Sequence, residues 1–504
     1  MTTDPALHRS PPRAAAFRSV PSKMTSFTRI LAGLVFLASA LSSSGCVSRS
    51  TVEDVRSARS AVHERAPRLD LASLETTSRK SDEEAVDPDA RALTREPLTV
   101  ESAIRIALLN NRDLRAELLE LGVARGQLVQ ASLFPNPDFE AQARFSRDPA
   151  QDAQWDFGIG IDLTEILLRA LRTAVARADL DAARLRAAGA TLDLGYQVRL
   201  AFYDMQAEQQ RLELIETSLD AFAASYDTAR ALHEVGNLTD LDLVTEQAAY
   251  EDMRVAVAEA ESEREAARER LNTLLGLFGR EATWTIPARL DPPHEQESEE
   301  MALEKRAIES RLELATTRAS LEAAARRVGL VETTGWLPDL NIGVHAEHDG
   351  TFWEMGPALT GTLPVFNRQQ GNLISQRAEF DALRQRYVAE AVTLRATLRI
   401  VRARKTSAEA RALHYQSVIL PLRERVVHET LLQYNAMQVG VFQLLQARRD
   451  QMSTAHAYVT TLHDYWRSRA ALEQLLAGRS TGTLVAPSAP RGEIAARSGA
   501  RGGH

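Results

Sequence analysis

The chain has 504 residues, too many for a single compact core, so several domains or one elongated architecture are expected. A net charge of −8 with 25% charged residues excludes the basic stripe of a nucleic-acid binder, and 6% aromatics is little for a wide globular core. One cysteine, Cys46, excludes an internal disulfide and a cysteine metal cluster.

In chain order, Lys23 and Arg29 precede an apolar run from Ile30 to Leu41, followed by the small residues Ser42, Ser43, Ser44 and Gly45 and then Cys46. This is a charged region, an apolar region and a small-residue cleavage site, and the run is shorter than the ~20 residues that span a bilayer. Ser44-Gly45-Cys46 resembles a bacterial lipobox with Ser43 in place of the usual leucine, which implies acylation (palmitate) of Cys46 as the mature N-terminus. Residues 1–45 are therefore read as an upstream extension and lipoprotein signal peptide, with Met1 or Met24 as the start. Val47 follows where an inner-membrane retention signal would place aspartate, which points to the outer membrane. Residues 46–95 read as a polar N-terminal tether.

From Leu98 the chain is periodic and then repeats itself. A shift of 201 carries Pro137-Asp138 onto Pro338-Asp339, Ala124-Arg125 onto Ala325-Arg326, and Leu271, Leu274 and Leu275 onto Leu472, Leu475 and Leu476. One fixed shift over so long a stretch marks a duplicated unit. The first repeat is placed at 96–286, a linker at 287–300, the second repeat at 301–478 and a disordered tail at 479–504.

Each unit reads helix, strand, strand, helix, helix. Helix is expected around 100–132, ending before Pro135 and Pro137. Strands are expected at about 137–147, 154–163, 339–348 and 353–364. Phe139, Ala141 and Ala143 alternate with Glu140, Gln142 and Arg144, and Trp155, Phe157 and Ile159 with Asp156, Gly158 and Gly160. Ile342, Val344 and Ala346 alternate with Asn341, Gly343 and His345, and Trp353, Met355 and Leu359 with Glu354, Gly356 and Thr360. Each run has the ~9–11 residues of a tilted membrane strand with one apolar and one polar face. Helical hairpins are expected at about 165–276 and 371–477, the first arm free of proline to His233 and roughly 100 Å long. Leu212, Ile215, Leu219 and Phe222 follow a coiled-coil seam, and Pro421 must interrupt or kink the second outgoing arm. Four strands leave open edges, and in lipid closure of a barrel demands oligomerisation.

The paired coiled-coil hairpins, the Pro137 and Pro338 strand entries and the segment Leu363-Pro364-Val365-Phe366-Asn367-Arg368-Gln369-Gln370-Gly371-Asn372 resemble the TolC-type outer-membrane factors of tripartite efflux pumps, over about residues 96–478. The resemblance implies a mainly α fold with a transmembrane β-barrel: a homotrimer whose twelve strands close one barrel, continued by a periplasmic α-helical coiled-coil barrel. It implies a passive efflux channel in the outer membrane of a Gram-negative bacterium, lipid-anchored, partnered by a periplasmic adaptor and an inner-membrane resistance-nodulation-division pump. The segment from Gly440 to Arg448 and the 363–372 segment are most like the heavy-metal branch, which implies metal cations as cargo, with a drug as the alternative because the inner-membrane pump chooses the substrate. Val235, Gly236 and Thr239 resemble the family's helix-tip motif for adaptor docking; in the second repeat Met437 stands at the glycine position and Gly440 at that of Thr239. Glu234, Asp240 and Asp242 bring acidic charge to this entrance, as solvated helix ends or as entrance charges.

No catalytic constellation, glycine-rich phosphate loop or cofactor motif is present, so neither an enzyme nor a cofactor is expected. His345 and His348, three apart on a strand, point to opposite faces, and no metal ligands are assigned. The alternative function is a structural coiled-coil envelope lipoprotein without channel activity, which gives the strands no purpose.

Overall fold

The computed structural model describes residues 52–67, 86–146, 153–293, 311–349 and 352–481. Cys46, the signal-like run and residues 482–504 lie outside the described residues. Within the described chain, α1 is Val52–Arg65, α2 Pro88–Leu93, α3 Val100–Asn110 and α4 Arg112–Ser132. Strands β1 Asp138–Arg144 and β2 Gln154–Asp162 follow, then α5 Leu163–Glu234 and α6 Asp240–Leu275. The second unit has α7 Leu312–Thr334, β3 Asp339–Asp349, β4 Phe352–Thr362, α8 Gln370–His414, α9 Leu420–Asn435 and α10 Val441–Leu476.

The four strands form one antiparallel meander in the order β1-β2-β3-β4. Register follows the alternation: Phe157 faces Ala141 and Ala346, and Asp156 faces Gln142 and Glu347. Apolar and polar side chains are thereby sorted onto opposite faces, because successive residues of a strand alternate sides. β1 and β4 are the edges, and each has one unpaired side among the described strands.

α5 has 72 residues, roughly 110 Å at 1.5 Å per residue. No proline falls within it, and its buried positions Ala176, Ala178, Ala182, Ala183, Ala187 and Ala188 let α4, α7 and α10 approach closely. Further along, Leu212 and Ile215 pack with Met253 and Ala260 of the returning α6. The main core gathers α1, α3, α4, α5 and α6 around Trp284, whose indole Nε1 donates to Asn272 Oδ1 at 2.7 Å. The two repeats are tied by polar links from α5 to α10. Asp204 accepts from His463 at 2.7 Å and Arg467 at 2.5 Å, and its carboxyl lies below the usual range: burial opposes ionisation, but these two partners outweigh it.

Several expectations need correction. The helix expected over 100–132 breaks at Asn111, whose side chain caps the Leu114 amide at 2.8 Å and donates to Leu274 O at 3.0 Å. The interruption expected at Pro421 takes a particular form: one π-helical turn, Tyr415–Ile419, separates α8 from α9, whose first turn holds the proline. The tether at 46–95 contains α1, which is docked: Val55, Ala58 and Val62 are buried, and so is Asp54 against Arg125 and Arg184. The tail from 479 begins as packed chain, since Arg479 pairs with Asp193 and the Ser480 amide donates to Glu313 at 2.9 Å. The linker also starts packed, with Leu290 buried and the Asp291 carbonyl accepting from Trp466.

Candidate functional site

Two regions carry the functional expectations: the strand sheet and the two helix tips. On the sheet's apolar face the side chains of Phe139, Trp155, Ile159, Ile342, Val344, Trp353, Met355 and Leu359 stand exposed, an apolar surface on a single protomer that needs a cover. Toward the strand-turn end this face carries an aromatic cluster: Phe145 meets Trp155 edge-on at 6.4 Å, and Phe157 stacks on Trp353 at 6.1 Å. No helix among the described residues is long and apolar enough to cross a membrane. The polar face carries Glu140, Gln142, Asp156, Asn341, His345, Glu347 and Glu354. Gly160 and Gly343 lie opposite each other, and a Cβ added at Gly343 would meet the Ile159 carbonyl oxygen at 2.3 Å, so β2 and β3 approach too closely there for a side chain.

His348 lies on the apolar face against Trp353, ring centroids 4.9 Å apart, and His345 on the polar face, where its Nε2 is 2.5 Å from Asp156 Oδ1. No metal ligand was assigned from the sequence, yet Asp156, His345 and Glu347 each offer an atom that lies within 4.8 Å of the others. The signal that could find this set is cross-strand register between repeats.

At the first tip, Val235 caps α5 and Gly236 adopts φ 77°. The Gly236 amide donates to His233 O and the Asn237 amide to Leu232 O, both at 2.8 Å, which is the Schellman closure of a helix end. Thr239 caps α6 by accepting from the Asp242 amide at 3.2 Å and donates its hydroxyl to Asp242 Oδ2 at 2.7 Å. The second tip has the same form with other residues. Met437 holds φ 58°, its amide donates to Tyr434 O and that of Gln438 to Gln433 O, both at 2.9 Å. Gly440 caps α10, its amide donating to Gln443 Oε1 at 3.0 Å. The tip residues placed from sequence therefore sit at two equivalent turns, the glycine and methionine in the same left-handed conformation.

The acidic residues at the first tip are partnered. Asp240 lies 2.6 Å from His233 Nε2, Asp242 is engaged by Thr239, and Glu234 is 3.8 Å from Arg230. Above the tips the two hairpins are joined by Arg449 of α10, which donates to Glu246 Oε2 at 2.5 Å and Ser225 Oγ at 3.1 Å and lies over the Phe222 ring at 4.3 Å. That latch went unread in the sequence, because its members are brought together by hairpin packing alone.

Comparison with known proteins agrees with this architecture. Residues 103–277 match the family model described as outer membrane efflux protein. The chain is 25% identical over 386 residues to the cobalt-zinc-cadmium resistance protein CzcC of Cupriavidus metallidurans, covering 75% of this chain and 90% of the relative. Among solved structures, the Campylobacter jejuni outer membrane channel CmeC superposes with a TM-score of 0.64 at 15% identity, over 80% of this chain and 94% of that one. The transmembrane channel CusC superposes with a TM-score of 0.62 at 18% identity, over 75% and 91%. The fold is thus that of outer-membrane efflux channels, and residues 103–277 are similar to the outer membrane efflux protein family.

Proposed function

We propose that the chain is one protomer of a trimeric outer-membrane channel that passively conducts efflux substrates delivered by a periplasmic adaptor and an inner-membrane resistance-nodulation-division pump. The observation that carries this is the strand sheet: four strands with an exposed apolar face, a polar opposite face and two unpaired edges. Open edges in lipid leave backbone groups unsatisfied, so three sheets joined edge to edge into twelve strands resolve both the edges and the exposed face. The polar face then lines the lumen, and the long hairpins continue as the periplasmic duct. Val235, Gly236, Thr239, Met437 and Gly440 form the adaptor-docking tips, with Glu234, Asp240 and Asp242 as entrance charges. Acylation of Cys46 anchors the chain to the outer membrane. Likeness to a cobalt-zinc-cadmium resistance protein supports divalent metal cations as cargo.

The test is the purified full-length protein. An SDS-resistant trimer that dissociates on heating, together with steady conductance in planar bilayers, is expected. A monomer without conductance would instead fit a structural coiled-coil lipoprotein.

A further inference from the structure

We propose that Asp156, His345 and Glu347 form a binding station for a divalent transition-metal ion of the Zn2+ or Co2+ type on the polar face of the strand sheet. In register, Asp156 on β2 is directly opposite Glu347 on β3, and His345 lies two residues before Glu347 on the same face. One ligand atom from each lies within 4.8 Å of the other two. An ion at the usual ~2.0–2.2 Å from oxygen and nitrogen spaces its ligands by about 3.4 Å, so small side-chain shifts close the set.

The carboxylate of Asp156 is aimed into this set. The residue is 9% exposed, and its Oδ2 accepts from Arg144 Nη2 at 2.8 Å. Its Oδ1 is buried with no hydrogen-bond partner, although His345 Nε2 lies 2.5 Å away. Buried acceptors without a donor are rare in folded proteins. His345 and Asp156 are paired at 2.5 Å, and opening that pair to the ~3.4 Å spacing of metal ligands lets one ion take both atoms. Glu354 of β4 is directly opposite Glu347, so three carboxylates line up across β2, β3 and β4. Like charges directly opposite on a sheet repel, and a divalent ion offsets that repulsion. Gly158, opposite His345, keeps the ring's approach to β2 clear: even a Cβ there would stand 3.7 Å from His345 Nδ1.

The donor set decides the class of ion. One imidazole with two carboxylates favours borderline transition ions over Ca2+ or Mg2+, which take all-oxygen shells. His345 is half-exposed, so water fills the remaining positions and the ion can exchange. The row sits toward the strand-turn end of the sheet, away from the helix starts at Leu163 and Gln370. In the channel reading, on which this placement rests, that end is the outer mouth, and the station is the last stop for a departing cation.

The test is Co2+ titration of the purified full-length protein, followed by the visible absorption of bound cobalt with Zn2+ as competitor. One Co2+ per protomer is expected, with His345→Gln and Glu347→Gln each weakening binding by at least about tenfold. Arg144→Gln should tighten binding several-fold, because it removes a positive charge from the same carboxylate; a merely structural role for Asp156 gives no such gain. Equal Co2+ binding by wild type and His345→Gln, or no binding up to about 1 mM, overturns the station. Conductance without metal reads the channel separately: an open channel that binds no Co2+ overturns the station alone. A protein that binds Co2+ through His345 without conducting supports the station and overturns its luminal placement.

Discussion

The docking of α1 on the helical body depends on one carboxylate, and Asp54→Ala tests this directly. Asp54 is 0% exposed. Its Oδ2 accepts from Arg125 Nε at 2.8 Å; its Oδ1 accepts from Arg125 Nη2 at 2.7 Å and from Arg184 Nε and Nη2 at 3.0 and 2.6 Å. The hydrogen bond to Asp54 is the chief reason the Arg125 guanidinium holds its proton even more firmly than usual. Removing one member of a buried pair strands the others, at about 3–5 kcal/mol. Arg125 and Arg184 retain some contact with water, which places the effect near the lower end, about 3 kcal/mol. Besides these links α1 buries only Val55, Ala58 and Val62 of its own, and a helix of 14 residues is marginal in water by itself. The loss therefore releases α1 and leaves the rest folded. Hydrogen exchange is the assay: amides of Val52–Arg65 should lose about 100-fold of protection, since ~1.4 kcal/mol is a factor of ten, while amides of the strands stay unchanged. Unchanged exchange in α1, or global unfolding, would refute the reasoning.

Four further outcomes are expected. Ile159→Arg, on the exposed apolar face, should lower the yield of SDS-resistant trimer, since such a charge costs roughly 2–4 kcal/mol at mid-membrane; Thr360→Arg, on the polar face, should assemble, and equal yields would reverse the assigned faces. Arg449→Ala removes the link to Glu246 and Ser225 and should raise conductance in planar bilayers; an unchanged conductance assigns the latch no part in closing the duct. Burial, helped by Arg211, lowers the His456 pKa to about 4. The unfolded chain, at about 6.5, takes up that proton first, so stability is complete above pH 6.5 and falls by up to about 3 kcal/mol per protomer as pH drops toward 4. His456→Gln should therefore lose less thermal stability than wild type between pH 7.5 and 4.5, and parallel losses would sink this assignment. Met437→Gly should leave the Tm almost unchanged, because relief of about 1 kcal/mol of left-handed strain offsets the added freedom of the unfolded chain. It also deletes a side chain that is 95% exposed, so efflux in cells should fall, and unimpaired efflux would separate this tip from docking.

Long-period features were legible in the sequence. The strands showed themselves by strict alternation, as in Trp155 to Ile161, and α5 by apolar spacing over a stretch without proline. What stayed hidden depends on partners far away in the chain. Asn111 breaks a helix because its amide reaches the Leu274 carbonyl, which no local window contains. Val55, Ala58 and Val62 fall on one helical face, but Asp54 among them reads as a solvated charge until Arg125 and Arg184 arrive from α4 and α5. His345 and His348 part to opposite faces of β3, as their spacing requires, while the groups near His345 in space are Asp156 on the adjacent strand and Glu347 beside it.

The two repeats keep the same turns while differing in the arms that lead to them, and this difference has a physical basis. Gly236 and Met437 occupy the same left-handed position, and the returning helices start four residues later at Asp240 and Val441. A glycine takes that conformation freely and a methionine does not, so the second repeat holds a less favourable turn, with the Met437 side chain exposed at its tip. The outgoing arms diverge more. α5 runs unbroken for 72 residues, whereas the second arm is α8, a π turn and α9, with Pro421 in the first turn of α9. Proline at that point removes one amide donor and one allowed approach of the preceding carbonyl, and the wider turn absorbs both. A π turn inside a helix is a local weak point, and this one lies in the repeat whose arm is tethered to the first hairpin through Arg449. The unbroken arm suits a fixed wall, and the interrupted arm can bend between the 45 residues of α8 and the 16 of α9, on the tip side of its middle. If one hairpin of each protomer swings as the duct opens, the second is the one whose backbone allows it.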